Sequence, residues 1–249
     1  MCGRYASFRQ AQDLSDVFDV TTVAEEVAGR QPSWNVAPTQ DVLVVLERLV
    51  DAEGCTAGRD GAGEATGTAR EMHAARWGLV PSWAKDPSIG NRMINARSET
   101  VAEKASFSSS VKTRRCLVPA DGYYEWQAPA TGSGRKTPYF ITSPDGAPLA
   151  FAGLYAWWRP KGEPDADWLL TTTILTAAST GDMTELHDRV PVILGGDDID
   201  HWLDPTVTDP AEALAVLGTD TPELTWHEVS TAVNTPRNNG PELVEPVGT

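Results

Sequence analysis

The hydrophobic pattern along the chain changes period often, and its strongest stretches are short. Val42–Leu46 is apolar throughout and is a strand candidate. Alternation resumes at Ala75–Leu79. Cys116–Val118, Tyr139–Ile141, Leu149–Leu154, Leu169–Leu175 and Val190–Leu194 are further strand candidates, rich in β-branched and aromatic residues, and Leu224–Val229 is a late one. Helical spacing is rarer. Ser7–Phe18 places Leu14, Val17 and Phe18 on one face, with Ser7 as candidate cap. Ser98–Phe107 reads as a helix capped by Ser98, and Ile199–Leu203 and Ala211–Leu217 as short ones. Asp51–Arg70, rich in Gly, Ala and Thr, reads as a flexible surface insertion, Pro129–Lys136 as a polar loop, and the stretch from Asn238 as a frayed end. Many short strands with few long helices indicate α+β and not a βαβ repeat. No internal repeat appears, and no linker separates two cores.

Composition narrows the class. A chain of 249 residues can bury a substantial core. It contains no apolar run of about 18 residues, so no membrane span is expected. Its first residues do not form a signal peptide. Cys2, Cys55 and Cys116 form neither a CxxC pair nor an even disulfide framework, which fits a reducing cytoplasmic compartment. Net charge is −15, but it is unevenly spread. Arg70–Cys116 carries nine Lys/Arg against four Asp/Glu, whereas Asp145 to the end carries four against eighteen. A basic stretch on an acidic body permits a local phosphate-binding surface, although from composition alone it is more often a solvated charged face.

Candidate chemistry begins at Met1-Cys2-Gly3-Arg4. Trimming of Met1, which a small second residue permits, would give one residue bearing both an α-amine and a thiol on adjacent carbons. Such a 1,2-aminothiol can close a five-membered ring onto an aldehyde. An α-amine has a pKa of about 7.7–8.0, so a useful share is neutral at physiological pH, as Schiff-base formation requires. Other polar clusters lie among turn and breaker residues: Trp34-Asn35-Val36-Ala37-Pro38-Thr39, Asn95-Ala96-Arg97-Ser98-Glu99, Pro119-Ala120-Asp121-Gly122-Tyr123-Tyr124-Glu125-Trp126 and His187-Asp188-Arg189-Val190-Pro191. Taken singly, each has an ordinary reading. Asn95 suits a turn, Glu125 could alternate outward to water, and Arg97 and Arg189 suit surface ion pairs. Trp77 and Trp83 suit core or rim packing. Turned inward, Glu125 would become a weaker acid; His187 is the natural acid–base group near neutrality; an exposed Trp can stack on a nucleobase. No spacing of His, Cys, Asp and Glu makes a metal site, and no nucleotide-binding glycine loop or GxSxG is present, so no metal or cofactor is expected.

The ordered runs MCGRYA, WNVAPT, RWGLVPSWAK, NARSET, RRCLVPADGYYEW, KTPYF, FAGLY, ILTAAS and LHDRVPVIL strongly resemble the SRAP family, whose name abbreviates "SOS response-associated peptidase". The likeness extends from Cys2 to about Pro241. It implies one compact α+β domain over residues 1–241, with a mostly antiparallel, barrel-like sheet, 51–70 as an insertion and 242–249 as a frayed tail. It implies a protein that senses abasic sites in single-stranded DNA and crosslinks to them through a thiazolidine on Cys2, with accompanying lyase activity and removal of Met1. The family's catalytic positions fall on Cys2, Asn95, Glu125 and His187. Its DNA contacts map onto Arg4, Asn35, Trp77, Arg97, Thr176 and Arg189. The expected protein is a cytoplasmic monomer, nucleoid-associated when bound to DNA. Where the family pattern has HDRMP this chain has HDRVP, an apolar exchange that should not touch the chemistry. Two other readings compete: a peptidase or amidase with Cys2 as nucleophile, and a noncatalytic DNA-binding module.

Overall fold

The computed structural model describes residues 3–52, 54, 64–129, 134–219 and 222–248. Cys2, Cys55, half of the Asp51–Arg70 stretch and the centre of the Pro129–Lys136 loop lie outside these residues. Fourteen strands and four short helices are described, numbered in chain order. The smaller sheet is antiparallel and runs in spatial order β14 (Thr225–Glu228), β9 (Thr137–Thr142), β8 (Gly122–Gln127), β1 (Tyr5–Ser7) and β3 (Ser33–Val36). The larger sheet runs β12 (Arg189–Pro191), β11 (Leu169–Ala178), β10 (Leu149–Trp158), β7 (Arg115–Ala120), β4 (Asp41–Val50), β5 (Gly67–Trp77) and β2 (Thr22–Val23). Two short strands attach to it, β6 (Asn95–Arg97) on β11 and β13 (Ile193–Leu194) on β10.

One pairing turns the larger sheet into a barrel. β11 lies parallel to β5, with Thr171 beside Arg76 and Thr172 beside Trp77. The circuit β5–β4–β7–β10–β11 thereby closes on itself, which removes open edges from its centre. Both faces are covered, and this explains the near-continuous apolar runs in β4 and β10. On one face Leu43, Val45, Leu117 and Leu154 pack with Leu14 and Phe18 near α1 (Ala11–Val17) and with Trp202 of α3 (Gly196–Leu203). On the other, Val44, Trp77, Val118 and Phe151 pack against Tyr5, Val36, Tyr123 and Ile141 of the smaller sheet. Aromatic edges lock that second interface: the Tyr5 ring lies 5.3 Å from Trp77 and 6.0 Å from Phe151.

Several sequence expectations are corrected. Ser7 ends β1, and α1 starts four residues later, after Gln10. Ser98–Phe107 forms turns, not a helix, because the Ser98 N–H is drawn to the Thr176 carbonyl; α2 (Ser108–Thr113) follows. The strand expected at Val190–Leu194 divides into β12 on β11 and β13 on β10. Gly67–Arg70 belongs to β5, in register with Val50–Glu47, so the ladder claims the last residues assigned to the insertion. Residues 238–248 are held in place: Leu243 is buried, Val229 bridges Pro246, and His227 Nε2 lies 2.7 Å from the Val244 carbonyl oxygen. α4 spans Pro210–Leu214, capped by Asp209. Among the described residues no helix is long and apolar enough to cross a membrane.

Candidate functional site

The first half of the site is built where β1 meets β8. Tyr5 pairs with Tyr123 and Ala6 with Gly122, and the Tyr124 N–H donates to the Arg4 carbonyl at 3.0 Å. The same register, carried toward the amino end, puts Gly3 level with Glu125. Glu125 is the fourth residue of β8, facing Tyr139 across the ladder. Its side chain points inward, leaving 2% of the residue exposed. Burial pushes its pKa up to about 7, against a smaller opposing effect of Lys136. A carboxyl group held there is about half protonated at neutral pH and can both give and take a proton.

The second half gathers on the carboxyl end of β11. β6 lies parallel to it, with Asn95 beside Ile174 and Arg97 beside Thr176. β12 lies on its other side, with Arg189 beside Ala178 and Pro191 beside Thr176. Asn95, Arg97 and Arg189 are therefore carried by strands flanking one short stretch of β11. A loop contact fixes this arrangement: Gly78 has φ +133°, and a Cβ built on it would come 2.5 Å from the Gly90 carbonyl oxygen. Side chains at these two positions would force apart the segment that leads into β6.

His187 immediately precedes β12. Its Nδ1 lies 3.0 Å from the Arg189 N–H and 2.7 Å from Asp188 Oδ1. These partners demand opposite protonation states of Nδ1. Burial and the Lys136 charge lower the pKa of the imidazole although Asp188 opposes them, so the neutral ring accepting from Arg189 is favoured and Asp188 is left to solvent. The halves are tied together by Gln127 of β8, whose Nε2 donates to the Glu185 carbonyl at 3.1 Å, in the turn leading to His187. Lys136, which opens the KTPYF run and was not singled out from the sequence, is an exposed cation whose charge acts on both Glu125 and His187.

The residues expected to contact DNA fall into different environments. Arg97 is exposed, and with Asn95 and Lys104 it lines a surface depression of about 390 Å³. Arg189 is engaged bidentately by Glu99, at 2.5 and 2.9 Å, and also donates to the Thr176 carbonyl. The ion pair holds Glu99 at a pKa of about 2. Thr176 is buried, with Oγ1 3.2 Å from the Arg189 guanidinium. Arg4 is half-buried and donates to Asn35 Oδ1 and the Val233 carbonyl, both at 2.8 Å. Asn35 is buried and turned toward the carboxy-terminal loop. Trp77, expected to stack on a base, is wholly buried, and its indole N–H donates to the Ile94 carbonyl at 2.8 Å. It supports the residue before Asn95 from inside the core and presents no face to a ligand. The half-exposed aromatic of that segment is Trp83, beside Lys85 and Arg92. Among the described residues no three His, Cys, Asp or Glu side chains cluster in a way that could hold a metal ion.

Residues 1–236 match the family model described as SOS response associated peptidase (SRAP). The chain is 39% identical to the abasic site processing protein YoqW of Bacillus subtilis, over 98% of this chain and 99% of that protein. It is 35% identical to the abasic site processing protein HMCES of Pongo abelii, over 87% of this chain and 65% of that one. Two solved structures share the fold. A protein from Bacteroides thetaiotaomicron superposes with a TM-score of 0.78 at 21% identity, covering 99% of this chain and all (100%) of that one. A phage-related protein from Bordetella bronchiseptica gives a TM-score of 0.64 at 31% identity, covering 92% and 94%.

Proposed function

The chain belongs to the SOS response-associated peptidase family, and from that premise we propose that it processes abasic sites in single-stranded DNA by crosslinking to them through Cys2. The observation that carries the reading is Glu125: a carboxyl group 2% exposed, with a pKa of about 7, level with the residue that follows Cys2. The names of the YoqW and HMCES relatives support the substrate class.

The chemistry starts once Met1 is removed. An abasic sugar interconverts between a closed ring and an open C1′ aldehyde. His187, when protonated, donates to the ring oxygen and favours opening. The Cys2 amine attacks C1′ and forms a carbinolamine. Glu125 protonates its hydroxyl, water leaves, and an imine remains. The Cys2 thiol then adds to the imine carbon; one C–S bond forms, the thiol proton ends on nitrogen, and the thiazolidine closes. Asn95 holds the sugar hydroxyl or amine in position, a proximity effect. Arg97, Lys104 and Arg189 supply the salt-sensitive phosphate contacts, local cations on an acidic protein. An imine that escapes ring closure loses its 2′ proton and expels the 3′ phosphate, so strand cleavage is the side reaction.

The test is a denaturing gel of the purified protein with single-stranded oligonucleotides. A heat- and detergent-resistant adduct with an abasic strand, absent with an intact strand and absent in Cys2→Ala, is the expected result, with an intact mass lacking Met1. No adduct, together with hydrolysis of a peptide or of glutamine, would replace this reading with the nucleophilic hydrolase. Salt-sensitive binding that survives Cys2→Ala, with no adduct from the unaltered protein, would leave a passive binder. His187→Ala is expected to slow adduct formation most at low pH, where the imidazolium of the native protein is populated.

A further inference from the structure

The Asn35 carboxamide has a hydrogen-bond pattern unlike that of a DNA contact. Its Nδ2 donates to three backbone carbonyls of the carboxy-terminal loop: Val233 at 3.3 Å, Thr235 at 3.1 Å and Asn238 at 2.8 Å. Its Oδ1 accepts from Arg4, and the same Arg4 nitrogen donates to the Val233 carbonyl. No carboxylate pairs with Arg4 among the described residues; its guanidinium is held by oxygen dipoles and by the face of Trp126, 5.9 Å from the ring centroid. Trp126 in turn donates its indole N–H to Asn234 Oδ1 at 2.6 Å. Two ends of the chain, more than two hundred residues apart in sequence, thus meet around one buried amide.

Beyond Ser7 the amino-terminal strand is pinned a second time. The buried Asp121 carboxylate accepts from the Phe8 N–H at 2.6 Å, the Arg9 N–H at 3.2 Å and Arg9 Nε at 2.8 Å. β1 is therefore clamped at both ends of a three-residue span, and the clamp nearest the amino end lies two residues from Cys2.

We propose that Asn35 and the Val233–Asn238 loop are positioning elements for the amino terminus, acting through Arg4 to hold the Cys2 thiol over the imine carbon so that ring closure outruns elimination. This rests on the crosslinking reading above. Thiol addition and loss of the 3′ phosphate start from the same imine. A strand that swings freely lowers the effective concentration of the thiol and leaves the elimination rate in place. The clamp thus governs the partition between adduct and broken strand.

Asn35→Ala tests it in the full chain. The ratio of cleaved strand to thiazolidine adduct is expected to rise by about tenfold, with affinity for a strand containing a tetrahydrofuran site, which cannot form an imine, unchanged. Asn234→Ala loosens the same loop from its exposed side without touching the buried amide; a rise in the ratio in the same direction, but smaller, is expected. A ratio unchanged in both variants overturns the proposal, whether or not the overall rate falls with thermal stability. Loss of tetrahydrofuran-strand affinity in parallel with rate also overturns it, and returns Asn35 to a binding role. If the unaltered protein forms no adduct, the crosslinking reading fails first; if it does and the ratio stays constant, only the positioning claim falls.

Discussion

Two regions of this molecule use the same residue types to opposite ends. On the outer part of β4 and β5, His73 lies between two carboxylates, with Nδ1 2.9 Å from Glu26 and Nε2 2.8 Å from Glu71, and Arg48 completes the group on Glu71. Burial would push Glu71 up and His73 down, yet the mutual hydrogen bonds and charges outweigh it, so Glu71 is lowered and His73 raised. For Glu125 at the β1–β8 junction and His187 ahead of β12, burial wins. Glu125 rises to about 7 and His187 is lowered, with the Lys136 cation near both. The first group satisfies its charges internally and ties the Glu25–Val27 turn to β5. The second leaves Glu125 with a pKa of about 7, where a proton costs little to move, and His187 favouring its neutral form. Side-chain identity does not separate a cluster that satisfies its charges from one proposed to react; the balance between burial and pairing does.

The comparison breaks most visibly at Glu125. Glu125→Gln keeps the shape and removes the titration, and adduct formation under single-turnover conditions is expected to fall by about 100-fold or more. Stability should move the other way. A carboxyl whose folded pKa is raised contributes stability that is fully present below about pH 4.3 and is lost as pH rises through about 7. The Gln variant escapes that loss and should melt higher than the native protein at pH 8.5 by a few degrees, with the gap closing by pH 5. A native protein whose melting temperature does not fall relative to the variant between those pH values contradicts the burial of Glu125.

His73→Gln sharpens the other side. A raised histidine pKa contributes stability that is fully present below about pH 6.5 and is lost as pH climbs through the folded value. The variant should therefore cost about 1 kcal/mol at pH 6 and less at pH 9, measured by chemical denaturation, with adduct formation unaffected at either pH. A change in crosslinking rate would mean that the two regions are coupled. The smallest effect is expected at Glu99→Gln, which frees Arg189 from its bidentate partner. Half-exposed ion pairs contribute no more than about 1 kcal/mol, so the fold should be unaffected. Affinity for single-stranded DNA should tighten by roughly threefold with a steeper salt dependence, as read by fluorescence anisotropy at two ionic strengths.

The sequence reading recovered the barrel and lost some of its borders. β4, β10 and β11 stand out because burial on both faces leaves uninterrupted apolar runs, and the helix at Ile199–Leu203 shows its 3.6-residue spacing. Ser98–Phe107 misled because Ser98 is a good cap in isolation, while its backbone N–H is claimed by Thr176, 78 residues away. Residues 238–248 look like a loose end until His227, Val229 and Asn35 supply partners. Trp77 reads from its own surroundings as core or rim packing, and the smaller sheet does cover it; only the family resemblance maps it onto a DNA contact. Motif order singled out Asn95, Glu125 and His187 as candidates. Their grouping depends on β6 and β12 flanking β11 and on the Gln127 contact, pairings between distant segments that no local pattern encodes. Lys136 escaped notice because a lone lysine beside a loop carries no periodic signal.

The parallel pairing of β11 with β5 has a consequence for synthesis. β11 closes the barrel, and it is also the strand onto which the Asn95 and Arg189 segments hydrogen-bond. A nascent chain therefore cannot complete this end of the barrel until the residues through Pro191 have been made. Until then β12 and the His187 segment ahead of it cannot join β11, so on the proposed mechanism an aldehyde would find the amine without its acid–base partner.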